Sequence, residues 1–190
     1  MEPHDAQLST LGSLASLPAL EHPELLAPRV ATALAAWSHG HEVAVVEIDP
    51  ALADTAALTQ AYDLPLTASA NCVVVAGRRG GEERIAACVV RADTRADVNN
   101  VVKRRLDVRK ASFLPTDRAV AETEMEYGGI TPLGLPNGWR LFLGAEVVKI
   151  PVAMIGSGVR QSKLLLAGWL LSELPSAEVV ADLARVEGHS

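Results

Sequence analysis

The chain has 190 residues, about half of them apolar and about a fifth charged, a balance that suits one globular domain with a sizeable core and excludes a low-complexity or disordered chain. The net charge of −6 argues against a dedicated nucleic-acid binder, and no apolar run reaches the ~18 residues that a membrane-spanning helix needs. The start carries Glu2 and Asp5 without a basic stretch, so it does not read as a secretory signal, and a cytoplasmic location is expected.

Residues 1–26 are polar and punctuated by proline around two leucine clusters. They read as a loose or helical leader, and the acidic stretch 1–40 is set apart from a domain expected over 41–185. Pro28, tolerated in a first helical turn, opens a helix predicted to end at Trp37, where Ser38, Gly40 and the flanking histidines break it. His41 to Ile48 alternates and is rich in valine, which predicts a strand. Asp49 as cap and Pro50 at the first position predict a helix to about Tyr62, ended by Leu64-Pro65.

Two apolar runs follow, Asn71 to Ala76 and Arg84 to Val90, separated by Gly77-Arg78-Arg79-Gly80-Gly81. That spacing predicts an antiparallel hairpin. Asp93 or Thr94 is expected to cap a helix from Ala96 to Leu106, and Pro115-Thr116 to open another that reaches about Glu126. Gly128 to Gly138 holds four glycines and two prolines and reads as a loop. Arg140 to Phe142, Val147 to Lys149, Val152 to Ile155 and Leu164 to Leu166 read as strands, and Trp169 to Leu174 as a short helix. Strands and helices mixed around a central hairpin define an α/β or α+β domain with a mixed sheet.

The charge is unevenly distributed. Residues 1–66 sum to −8, residues 67–110 to +5 and residues 111–190 to −3. The middle third is a basic block, and local charge is what a phosphate backbone senses within a Debye length.

The order of these features resembles the YbaK-like aminoacyl-tRNA editing family, which includes the stand-alone prolyl-tRNA editing proteins. The resemblance spans about residues 50–183. It rests on the helix, Leu64-Pro65 and hairpin in that order, on Ala96 to Val102 followed by Leu106-Asp107-Val108-Arg109-Lys110-Ala111, on Tyr127-Gly128-Gly129-Ile130-Thr131-Pro132-Leu133-Gly134, and on Ile155-Gly156-Ser157-Gly158 after a strand. The loop with Pro132 inside it is the most specific of these.

The resemblance implies a mixed, partly barrel-like sheet flanked by helices. It also implies hydrolysis of the ester between a mischarged amino acid and the terminal adenosine of tRNA, in the service of translation fidelity. In the family a lysine on the first hairpin strand lies near the ester, and the tRNA's own hydroxyls help activate water. The position of that lysine here is Asn71, an uncharged donor, or Cys72 if the alignment slips by one. Deacylation with reduced activity is therefore expected. A non-catalytic aminoacyl-, nucleotide- or tRNA-binding module of the same fold is the alternative, and a partner surface on the acidic leader a third reading.

The substrate-binding candidates are Gly128, Gly129, Ile130, Thr131 and Pro132 in one loop and Gly156, Ser157 and Gly158 in the other. Each segment would serve equally well as a plain turn. The tRNA-contact candidates are Arg78, Arg79, Arg104, Arg105, Arg109 and Lys110, against the reading of a solvated helix face and hairpin tip. Lys103 and Lys110 are candidates to restore a cation at Asn71, while Arg160 and Lys163 read as phosphate-neutralising or merely solvated charges. A nucleophilic Cys72 would need a lowered pKa, and a buried thiol in a valine-rich strand is the better reading. His39 and His41 lack further ligands at metal spacing, so neither a metal nor a cofactor is expected.

Overall fold

The computed structural model describes residues 8–186. Glu2 and Asp5, on which the reading of the N-terminus leaned, lie outside the described residues.

The elements run β1 (Ser16–Pro18), α1 (Pro28–Ala36), β2 (Ala44–Glu47), α2 (Thr55–Ala61), β3 (Ala70–Arg79), β4 (Glu82–Arg91), β5 (Thr94–Ala96), α3 (Lys103–Leu106), β6 (Ala111–Phe113), α4 (Thr116–Thr123), β7 (Arg140–Gly144), β8 (Ala153–Gly156), β9 (Ser162–Leu166), β10 (Ala177–Val180) and β11 (Ala184–Val186). Among the described residues they form three open sheets, ordered β1-β2-β9-β8, β10-β7-β4-β3-β6 and β11-β5, and none closes into a barrel. The five-stranded sheet is mixed, since β7 runs parallel to both β4 and β10 while β3 is antiparallel to β4 and β6.

Strand alternation sorts the core into layers. Val45, Leu164, Leu166 and Ile155 of the first sheet meet Ala87, Val89, Leu141 and Leu143 of the second, with Val30 and Leu34 of α1 closing that layer. The opposite face of the first sheet, through Ala44, Val46, Leu165 and Met154, is covered by Leu58 of α2 and by Leu64. The opposite face of the second, through Val75, Cys88, Val90 and Phe142, is covered by Val101, Val102 and Leu106. Such stacking covers both faces of the two large sheets at their centre, which is why Leu164, Leu165 and Leu166 of β9 are apolar in succession rather than in alternation.

The hairpin forms as expected, with Asn71 opposite Val90 and Arg79 opposite Glu82. Its turn is shorter than the five residues predicted. Gly80 and Gly81 alone make it, at φ +58° and +83°, and two central residues of positive φ match the right-handed twist of the strands. The strands therefore carry Gly77, Arg78 and Arg79 as paired residues.

Several boundaries differ from expectation. The segment after Asp49 is a 3-10 turn over Pro50–Leu52 and then a separate helix, capped by the Asp54 carboxylate on the Ala56 amide. Thr94–Ala96 is a strand paired with β11, and Asp97, accepting from the Asn100 amide, caps a π turn that leads into α3. Val147 to Lys149 is a run of turns, because the Val147 amide bonds back to Gly144 and the Ile150 amide to Val147. Residues 16–25, read as loose or helical, contain β1 and two 3-10 turns.

Candidate functional site

Besides packing face to face, the two large sheets are bridged strand to strand at Ser69 and Met154. β3 is paired with β4 along its whole length, but on its other edge β6 covers only Val75 to Gly77. The stretch from Ala70 to Val73 faces β8 across that gap, joined to it by an isolated bridge between Ser69 and Met154. A cavity of about 370 Å³ occupies the junction, with Asn71, Gly128, Gly156, Thr55, Ser69 and Lys163 in its wall. The volume lies in the range of ligand pockets, ~300–1,000 Å³.

Asn71, Gly128, Ile130 and Gly156 thus border one space. Thr55, at the start of α2, donates its hydroxyl to Asn71 Oδ1 at 3.0 Å. With the amide oxygen so engaged, the NH₂ end of Asn71 is the donor available to a ligand. Ser69 is only 3% exposed and its hydroxyl has no hydrogen-bond partner among the described residues. A buried hydroxyl in that condition costs about 1–3 kcal/mol, so a polar occupant of the cavity would relieve it.

The loops behave differently from each other. Gly128 is exposed, at φ +81°, and lines the cavity. A Cβ on Gly156 would stand 2.4 Å from the Gly129 carbonyl oxygen, one on Gly129 would stand 2.8 Å from the Val159 nitrogen, and one on Gly158 would stand 2.4 Å from the Ala27 Cβ. Glycine at these three positions lets the loops pack backbone to backbone and onto the start of α1. The Gly158 amide donates to Gly129 O at 2.8 Å and the Gly129 amide to Glu126 O at 2.9 Å, so neither amide points to a ligand. Thr131, Pro132, Ser157 and Gly158 are buried behind the wall, and Ser157 accepts a hydroxyl hydrogen bond from Ser162 at 2.8 Å. Of the loop candidates, Gly128, Ile130 and Gly156 reach the cavity.

Arg160 fastens the rim. Its guanidinium donates to Tyr127 O and to Pro50 O, both at 3.0 Å, and its backbone amide to Glu126 Oε2 at 2.6 Å. Tyr127 stands at the mouth, 66% exposed.

For Lys163 the structure removes one of the two readings. It is not a solvated charge but is 7% exposed, in the cavity wall, with Nζ donating to Gly128 O at 3.1 Å. Burial, seconded by the nearby Arg160 guanidinium, brings its pKa down from 10.5 to about 8, against the opposing pull of Asp54. Lys103 and Lys110, the cations expected to compensate for Asn71, do not line the cavity.

Cys72 also lines the wall, and burial pushes its thiol pKa far up, as it does Cys88, to about 12. Both thiols stay protonated at neutral pH and neither is a nucleophile there. His39 is held by Glu42 at 2.6 Å and lies edge-on to Trp37 and Trp169, a packed rather than exposed imidazole.

The basic candidates lie elsewhere. Arg78 is seven residues along β3 from Asn71, roughly 23 Å at strand rise. Arg79 pairs with Asp107, Arg104 with Asp182 at 3.4 Å, and Arg105 approaches Glu178 at 4.0 Å. Arg78, Arg109 and Lys110 are exposed around one shallow depression and make no ion pair among the described residues.

Residues 49–174 match the model of the aminoacyl-tRNA editing domain, and the chain belongs to that family. No curated protein sequence matches it at a significant level. Among solved structures, it is similar to the hypothetical protein APE2540, with a TM-score of 0.72 at 18% identity over 83% of this chain and 99% of that one. It is similar too to a candidate trans-editing enzyme for prolyl tRNA synthetase, with a TM-score of 0.71 at 21% identity over 85% of this chain and 97% of the other. A scaffold protein used for epitope backbone grafting gives a TM-score of 0.71 at 22% identity, again over 85% and 97%. At such identities these likenesses establish the fold. Among the described residues no helix is long and apolar enough to cross a membrane.

Proposed function

We propose that the chain is a trans-editing deacylase that hydrolyses the ester of a mischarged aminoacyl-tRNA in the cavity between its two large sheets. It would act in the cytoplasm, where charged tRNA is used. The observation that carries this reading is the convergence of Asn71, Ser69 and the Gly128 loop on one cavity in a member of the editing-domain family.

The chemistry needs water addition to the acyl carbon, an oxyanion, and departure of the ribose oxygen, which takes up a proton. No covalent enzyme intermediate is required, and the raised thiol pKa of Cys72 fits that economy. The amide N–H groups of Asn71 and the unpartnered hydroxyl of Ser69 are the neutral donors that would orient the carbonyl. Gly128, without a side chain, would admit the aminoacyl group, and the exposed Tyr127 ring would stack on the terminal base. Arg78, Arg109 and Lys110 would meet the tRNA backbone away from the 3′ end. Within this reading residues 1–40 form an acidic leader to a catalytic unit over 41–185, although α1 also packs on the Gly158 loop.

The test is release of amino acid from a panel of mischarged tRNAs under single-turnover conditions with saturating protein. Hydrolysis of at least one tRNA well above the buffer rate supports the deacylase. Binding of an aminoacyl-adenosine analogue without hydrolysis of any ester assigns the cavity to a non-catalytic binding module instead.

A further inference from the structure

β9 reads Ser162-Lys163-Leu164-Leu165-Leu166, and all five residues are buried. By alternation Lys163 shares a face with Leu165. That face also carries Val46, which is opposite Lys163 on β2, and it is roofed by α2 through Leu58. An apolar side chain is what such a position ordinarily holds. The partner on the other side is Gly156, and the place its Cβ would take is filled by the backbone of Gly129 and Ile130, so the glycine loop packs directly beside the lysine. The side chain lies in the cavity wall, and the ammonium meets that loop at the Gly128 carbonyl. Among the described residues no carboxylate lies within ion-pair distance of it. The other ionisable side chains in the wall are Asp54, Cys72, Tyr127 and Arg160.

A buried ammonium without a paired carboxylate is a costly thing to keep in a core, and such groups gather at functional sites. One of its three N–H donors is spent on Gly128 O, leaving two for a ligand. It is also the one lysine in the wall of the cavity that Asn71 lines.

We propose that Lys163, entering from β9, supplies the cation of this site and binds the oxyanion that forms on the scissile ester, with Asn71 as its neutral partner. The inference rests on the deacylase reading and names the group that makes it work. As water adds to the acyl carbon, the carbonyl π pair moves to oxygen and is held by Lys163 Nζ and the Asn71 amide. The pair returns as the bond to the ribose oxygen breaks, and that oxygen takes the proton given up by the water. Lys163 keeps its proton throughout, so its contribution is present below a pH of about 8 and fades above it.

The experiment compares single-turnover deacylation by the wild type, Lys163→Met, Asn71→Lys and the double variant Asn71→Lys/Lys163→Met, on a mischarged tRNA that the wild type hydrolyses. Lys163→Met is expected to slow hydrolysis by about a hundred- to a thousand-fold, with tRNA affinity little changed and the thermal midpoint unchanged or raised. The double variant is expected to recover much of the loss, because it returns one ammonium to the cavity from the other wall. Asn71→Lys alone puts two ammoniums and Arg160 together, and is expected to give no gain. In the wild type the rate above the uncatalysed background should stop rising near pH 8.

Undiminished hydrolysis by a folded Lys163→Met would overturn the proposal while leaving the deacylase intact. So would a thermal midpoint lowered along with the rate and no recovery in the double variant, since that pattern belongs to a lysine that merely ties down Gly128. Inactivity of the wild type on every tRNA instead defeats the deacylase reading on which it rests.

Discussion

The two ends of the β3–β4 hairpin hold positive charge in opposite ways. At the turn end and the adjoining α3, cations are numerous and exposed. Arg79, Arg84, Arg104 and Arg105 stand beside Asp107, Asp182 and Glu178, and exposed pairs of this kind are worth about 0–1 kcal/mol each. At the open end there is one buried lysine, no paired carboxylate among the described residues, and a cavity for it to face. The basic block that dominates the sequence is thus partly neutralised, and Lys163, outside it, is the charge with the most to give a ligand. Density of charge marks where a polyanion can rest; burial without a partner marks where chemistry is concentrated.

The sharpest way to break this comparison is at Asn71. Its amide oxygen is held by Thr55, which aims its NH₂ as a donor, so Asn71→Ala is expected to reduce single-turnover deacylation by a factor of roughly 10²–10³, about 2.7–4 kcal/mol. A loss below tenfold would move the catalytic weight elsewhere in the cavity.

Stability should respond to Lys163 in the direction opposite to activity. Its folded pKa, about 8, lies below the ordinary 10.5, so between those values the unfolded chain binds more protons and the fold gains stability as pH rises. Below about pH 8 the full penalty stands. Lys163→Met is therefore expected to stabilise the protein at pH 7, by at most about 3 kcal/mol on the shift of pKa, with the advantage shrinking toward pH 10.5. Urea midpoints at pH 7 and pH 10 measure it.

Tyr127 joins the mouth of the site to the RNA. Removing its exposed ring in Tyr127→Ala should weaken binding of the aminoacyl-adenosine analogue by about 1–3 kcal/mol, as loss of one stacked base does, and should leave stability unchanged. At the turn end the effects should be smaller and divided. Reversing Arg78, Arg109 and Lys110 together is expected to weaken tRNA binding and flatten its salt dependence, because each phosphate contact releases counterions. Reversing Arg104 and Arg105, which have acidic neighbours, is expected to do less, and titrations over a range of salt compare the two sets.

Much of the scaffold was legible because local signals and tertiary packing agree. Two valine-rich runs around glycines gave the hairpin, Pro28 gave the start of α1, and the glycine loops gave the borders of the cavity. What was missed depends on partners remote in sequence. β5 is a strand only because β11 pairs with it, and β6 only because it lies against Val75 to Gly77. Lys163 lay just outside the apolar run assigned to the strand, so nothing in the sequence chose between a phosphate-neutralising and a solvated charge. Extending the period of two by one residue places it on the face of Leu165, but that its ammonium meets the Gly128 carbonyl follows only from the tertiary packing of a loop 35 residues away. The glycines misled in the other direction. Three of them serve the packing of loop on loop, and no spacing in the sequence separates that duty from the approach of a ligand.

The measurement that bears most directly on the cavity is single-turnover hydrolysis of a mischarged tRNA panel by the wild type and by Asn71→Ala, with aminoacyl-adenosine analogue as competitor. The account predicts that the wild type clears at least one ester far faster than buffer, that the analogue inhibits it, and that Asn71→Ala slows it about a hundred-fold or more. Hydrolysis that neither the analogue nor Asn71→Ala affects would contradict it, and so would a wild type that binds the analogue and clears no ester.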